Sequence, residues 1–253
     1  MNRRVVYTIA GLVCFGMAFA SNAKELAEIE NELSTHWERI RTYSARIEMK
    51  GQAAQGASTV EMNGKGSIEG MKKDTTMLYR MEMDQTISMG ESEMPNKMLV
   101  VYDGTEVFTQ TSMLGQTMVF TSKPEEQSQV MPGGGKEAFK RMHEQFEMKV
   151  MPDDTLNDEP VYMLELRPKQ DAASQPKAPG KSQFDKALLS LSQKTGFPLK
   201  MLMFDDGEKP IMTLTYKEYK LDPELNPARF AYTPPPGAIV MDAESLKQMG
   251  GTP

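Results

Sequence analysis

Met77-Leu78-Tyr79-Arg80-Met81-Glu82-Met83-Asp84 alternates strictly, with Met77, Tyr79, Met81 and Met83 on one side and Leu78, Arg80, Glu82 and Asp84 on the other. A period of two is the signature of a strand with one buried face, because successive side chains of an extended chain point to opposite sides. The same period runs upstream through Tyr43, Ala45, Ile47 and Met49, with Ser44, Arg46, Glu48 and Lys50 between them, and again through Val60, Met62 and Ile68. Downstream, two apolar runs between Met98 and Thr111 flank Asp103-Gly104, a dipeptide suited to a tight hairpin turn because both residue types tolerate positive φ. Asp206-Gly207, between Leu199–Phe204 and Ile211–Tyr219, predicts a second hairpin, and Lys194-Thr195-Gly196 a third after Ala187–Ser192.

Helical spacing appears in two places. Leu26, Ile29, Leu33, Trp37 and Ile40 recur at steps of three and four, which predicts an amphipathic helix over about residues 24–41. Phe139, Met142 and Phe146 predict a short helix over 136–147, after Gly133-Gly134-Gly135. Residues 168–183, rich in Pro, Gln, Lys, Ala and Ser, read as a solvated loop. Many strands with few helices give a mainly β fold with a few helices (α+β), a barrel or strongly curved sheet. A closed small barrel would fill its interior with its own side chains. An incompletely closed one, plugged by a helix, would keep an apolar cavity.

The N-terminus is a different kind of sequence. Arg3 and Arg4 precede an apolar run from Val5 to Ala20 and a small-residue site at Ser21-Asn22-Ala23, the pattern of a secretory signal peptide over residues 1–23. A membrane anchor needs about twenty apolar residues, and this run is interrupted by Thr8, Gly11 and Gly16. Its Cys14 is the single cysteine of the chain, and Val13 before it is bulkier than the residue a lipid-attachment site takes there. Residues 24–253 therefore form, in expectation, one exported periplasmic domain without disulfides. With 35 acidic against 29 basic residues and no basic block, nucleic acid is excluded as a partner.

Catalytic patterns fail on spacing. Pro132-Gly133-Gly134-Gly135-Lys136-Glu137 lacks both the earlier glycine of a phosphate loop, where Val130 stands, and the Ser or Thr after the lysine. His36 and His143 each stand alone, so no metal, no cofactor and no catalytic triad is expected. Asp153-Asp154 and Asp205-Asp206 read as solvated turn residues. The outlier is methionine, 23 in 253 residues. An unbranched thioether fills irregular cores, and it also repacks around ligands of varied shape. Because so many of these methionines fall on one side of strands, the candidate lining of an apolar site is Ile47, Met49, Met62, Met77, Tyr79, Met81, Met83, Met98, Val100, Tyr102, Met118, Phe120, Met201 and Met203.

The layout resembles the LolA-like family of periplasmic lipoprotein carriers over nearly the whole chain after the signal peptide. The resemblance is carried by Ile40-Arg41-Thr42-Tyr43-Ser44-Ala45 at the end of the first helix and by the hairpin Val101-Tyr102-Asp103-Gly104-Thr105-Glu106-Val107-Phe108. It continues in the strand entry Thr195-Gly196-Phe197-Pro198-Leu199-Lys200 and in Phe230-Ala231-Tyr232-Thr233-Pro234-Pro235-Pro236-Gly237-Ala238 near the end. It implies a half-open, curved antiparallel barrel of about eleven strands with an N-terminal helix and a short helical plug or lid. It also implies a monomer without enzymatic activity, whose partners are the acyl chains of lipoproteins or phospholipid, an inner-membrane ABC transporter and an outer-membrane receptor. The Arg-Pro-Gly-x-Phe-x-Trp strand of the best-known carriers is absent. The aligned stretch reads Lys72-Lys73-Asp74-Thr75-Thr76-Met77-Leu78-Tyr79-Arg80, and the alternation puts Arg80 opposite Tyr79 and Met81. A lipid-sensing regulator of the RseB type, which carries a second domain, and a β domain that binds nothing are the rival expectations.

Overall fold

At residue 40 the apolar spacing drops from three and four to two, and there helix α1 (Leu26–Arg39) gives way to strand β1 (Thr42–Gln55). The computed structural model describes residues 24–55, 58–123, 135–169 and 184–242, so the expected signal peptide and most of the expected 168–183 loop lie outside the described residues. After β1 follow β2 (Ser58–Lys73), β3 (Thr76–Met89), β4 (Ser92–Tyr102), β5 (Val107–Met113) and β6 (Gln116–Ser122). Helix α2 (Lys136–Gln145) precedes β7 (Phe146–Leu156), β8 (Glu159–Pro168), β9 (Lys186–Ser192), β10 (Pro198–Phe204) and β11 (Pro210–Leu221). A 3-10 turn, Pro227–Phe230, and β12 (Ile239–Asp242) end the described chain.

All twelve described strands join one curved, unclosed sheet in the order β12-β6-β5-β4-β3-β2-β1-β11-β10-β9-β8-β7. This is the half-open β fold with two helices that the sequence predicts. The count exceeds the expected eleven because β12 returns to pair with β6, and that pairing is parallel, Ile239 with Met118 through Asp242 with Thr121. Among the described residues no helix is long and apolar enough to cross a membrane.

Two cores fasten the helices to the sheet. Ile29 and Leu33 of α1 and Phe139 and Met142 of α2 cluster with Tyr162, Leu164, Leu166, Ala187, Leu189, Leu191 and Met201, so the helices cover β7–β10 on one face. At the start of β1 an aromatic box takes over. Trp37 stacks on Phe197 and meets Tyr43 edge-on, with centroids 6.1 and 5.6 Å apart, and its Nε1 donates to the Gly196 carbonyl at 3.1 Å. Phe197 in turn stacks on Tyr219 at 4.7 Å. Cutting Trp37 back to Ala would cost about 3–5 kcal/mol by the lost burial and the cavity left.

The turns depart from the expectation in instructive ways. The β4–β5 connection is a four-residue loop in which only Gly104 has positive φ, +103°, and the Asp103 carboxylate accepts from the amides of Thr105 and Glu106. In the β10–β11 loop it is Glu208, not Gly207, that adopts positive φ, while Asp205 accepts from the Lys209 amide. Asp153-Asp154 lies within β7, exposed, at a register shift rather than at a tip. The tip is Asn157-Asp158, with φ of 52° and 65°, the two-residue turn whose twist matches its strands.

Candidate functional site

Directly opposed residues in a ladder share a face, so the register fixes the inner surface without ambiguity. Starting from Ile47 and Met49 on β1, it passes to Ile68 and Met62 on β2, then to Tyr79, Met81 and Met83 on β3. It continues to Tyr102, Val100 and Met98 on β4, Thr109 and Thr111 on β5, and Phe120 and Met118 on β6. In the other direction it includes Tyr216, Leu214 and Met212 on β11 and Met201 and Met203 on β10. Met77, two residues before Tyr79, belongs to the same side. All fourteen residues singled out in the sequence therefore stand on one face, the face that carries the two helices at its β7–β10 end.

Their environments differ. Ile47, Met49, Tyr79, Met83, Val100 and Met201 are buried, while Met62, Met77, Met81, Met98, Tyr102, Met118, Phe120 and Met203 are half-buried. The buried group is packed core in this structure, and the half-buried group is what an occupant of the sheet would touch. At Met83 a glycine makes the difference. Gly66 opposes Met83, and a Cβ there would come within 2.7 Å of Met83 Sδ, so the thioether lies flat over the glycine. Met81 opposes Ile68 instead, and has no such space to fold into.

Polar groups on this face are few. Tyr79 packs against Tyr102 with centroids 5.5 Å apart, and burial, with the Tyr102 hydroxyl nearby, pushes its phenol up to about 12, so it stays a neutral donor at physiological pH. Gln85 and Asn96 face each other across β3 and β4, and Asn96 Nδ2 donates to Gln85 Oε1 at 2.8 Å. Sequence reading missed this pair, together with Ile68, Ile87, Met94, Met212 and Leu214. The alternation through Met81 and Met83 reaches Gln85 and Ile87 by parity, and that signal was available.

The outer face is apolar where the C-terminal segment covers it. Leu78, Val101 and Val119 point outward, yet are at most 7% exposed, and Phe230 of the 3-10 turn is buried with them on that side of the chain. Tyr232 packs its ring against Phe108 at 4.9 Å and donates to Gln110 Oε1 at 2.9 Å. Arg229 binds Glu69 at 2.6 Å and Glu82 at 3.2 Å, and Arg80 binds Glu82 at 2.6 Å and donates to the Arg229 carbonyl at 3.2 Å. Arg80 thus serves the outer strap and is turned away from the Met-rich face, as the alternation predicts. The Arg80 guanidinium, aided by Arg229, holds the Glu82 carboxyl below its usual range. His143 Nε2 lies 2.7 Å from Glu30 and ties α2 to α1. Among the described residues no group of three or more His, Cys, Asp or Glu is placed to hold a metal ion.

No protein-family model and no curated protein matches the sequence. Solved structures with a similar course of chain include an uncharacterized conserved protein from Thermus thermophilus, 12% identical, covering 85% of this chain and 98% of that one, with a TM-score of 0.46. A LolA superfamily protein from Nitrosomonas europaea is 12% identical over 83% of this chain and 99% of its own, with a TM-score of 0.30. The MucA/MucB complex of Pseudomonas aeruginosa matches at 12% identity over 82% of this chain and 60% of that one, with a TM-score of 0.38.

Proposed function

We propose that this chain is a periplasmic carrier that holds acyl chains on the Met-rich inner face of β2–β6 and moves lipid or lipoprotein between the inner and outer membranes. The observation that carries the reading is the unequal covering of one continuous apolar face. Helices seal it over β7–β10, while Met62, Met77, Met81, Met98, Tyr102, Met118 and Phe120 remain half-buried. Half-buried methionine in such number suits a surface that reshapes around its occupant.

Transfer energies give the mechanism. Burying a methylene contributes about 0.8 kcal/mol, so a sixteen-carbon chain is held by its membrane with about 12 kcal/mol, and water alone would not extract it. A protein face of similar apolarity makes the exchange nearly neutral. Direction then comes from donor and acceptor partners of graded affinity, an inner-membrane transporter and an outer-membrane receptor. The test is mass spectrometry of lipids extracted from protein purified from its own periplasm, with titration of a fluorescent fatty acid. Copurified acyl lipid and saturable binding support the carrier. Binding that leaves lipoprotein release from the inner membrane unchanged would fit a regulatory lipid-binding role instead, and no binding at all would make the face packed core.

A further inference from the structure

Gln85 and Asn96 are primary amides in an apolar setting. They oppose each other between the Met83–Met98 and Ile87–Met94 pairs of the β3–β4 ladder and are 7% and 8% exposed. Across β2 stands Gly64, where a Cβ would come within 3.1 Å of Gln85 Cγ and 3.0 Å of Met83 Cε, so the missing side chain leaves these two their room. Asn96 Nδ2 is satisfied by Gln85 Oε1. Among the described residues, Asn96 Oδ1 is sealed from solvent and accepts from no donor.

A buried carbonyl without a partner costs about 1–3 kcal/mol, and apolar residues of similar shape would avoid that cost. The pair therefore does more than join two strands. We propose that Asn96 Oδ1, held in place by Gln85, is a hydrogen-bond-accepting subsite for an N–H or O–H group carried by a bound acyl chain. The ligand class is an amide-linked or hydroxylated acyl chain, in preference to a simple ester. Access is given by Met94 and Met98, half-buried thioethers beside the amide that repack at small cost. The inference rests on the carrier reading and narrows its cargo.

The experiment displaces a fluorescent fatty acid from the full mature chain with three competitors of equal length: methyl palmitate, N-methylpalmitamide and methyl hydroxypalmitate. The first lacks a donor, and the other two separate an amide from a hydroxyl source. The wild type should prefer at least one donor-bearing competitor by about five-fold, the effect of one hydrogen bond of ordinary net strength. Asn96→Leu and, independently, Asn96→Ser should bind the ester as the wild type does or better and lose most of that preference, with circular dichroism showing both folded. Equal displacement by all three in the wild type overturns the subsite and leaves the carrier reading standing, whatever the variants do. A preference for the ester that Asn96→Leu removes also overturns it, since position 96 would then disfavour a ligand donor. A wild type that binds no fluorescent fatty acid removes both readings together.

Discussion

The ring of Tyr43 lies across Gly70, its partner in the β1–β2 ladder, and fills the space that a Cβ at position 70 would occupy. Tyr43 is fully buried there, between Trp37 and Phe197, so the first helix, the first strand and the entry to β10 are keyed together over one glycine. Gly70→Ala should destabilise the protein by about 1–3 kcal/mol through overpacking. Gly51→Ala, on the same face with its nearest neighbour at an ordinary 3.5 Å, should cost far less. Thermal melts of both variants decide it, and equal losses would remove the keying role of Tyr43.

Met81 and Met83 share a strand and a face but differ in burial, and the carrier reading depends on Met81. Met81→Asp places a carboxylate where a chain would lie, at a cost of several kcal/mol unless it protonates or finds water. The control is Asp84→Ala, exposed on the outer face and paired with an exposed Lys97 at 3.7 Å. Folded Met81→Asp should bind a fluorescent fatty acid at least ten-fold more weakly, about 1.4 kcal/mol, while Asp84→Ala binds normally. Unfolding of Met81→Asp by circular dichroism would instead assign Met81 to the core.

Arg229 fastens the C-terminal segment to the outer face. Its side chain and that of Glu82 are 42% and 45% exposed, so screening keeps the loss in Arg229→Ala to about 1 kcal/mol. Glu82 has its folded pKa lowered, first by Arg80 and then by Arg229. Its contribution is therefore present above the ordinary glutamate value of 4.5 and is lost as pH falls through the lower folded value. The stability gap between wild type and Arg229→Ala, measured by urea unfolding, should be widest near about pH 7 and narrow toward about pH 3. A gap that grows in acid would contradict the ion-pair assignment.

The mature chain should begin at Lys24 without an attached lipid, because Ser21-Asn22-Ala23 is the small-residue site and Cys14 has a poor context for acylation. N-terminal sequencing and intact mass of periplasmic protein measure this. A lipidated terminus at Cys14 would place the protein on a membrane and change its proposed route.

Strands β1 to β5, the first helix and the inward side of β1 to β4 are legible in residue order. Those properties repeat every two or every three to four residues, so neighbouring positions are enough to specify them. Alternation also suffices to put Arg80 on the outer side. The β7–β8 hairpin is not legible in the same way, because its tip Asn157-Asp158 is a turn signal standing beside a more conspicuous acidic pair. Leu78 breaks the polar pattern of its side and is buried there beside Gly104 of the β4–β5 loop, a neighbour that alternation within β3 does not name. The folded chain was needed to pair β12 in parallel with β6, to bury Met83 over Gly66 while leaving Met81 half-covered, and to leave the Asn96 carbonyl without a partner. Each of these depends on which distant backbone lies opposite a residue, and alternation within one strand carries no information about the identity of its neighbour.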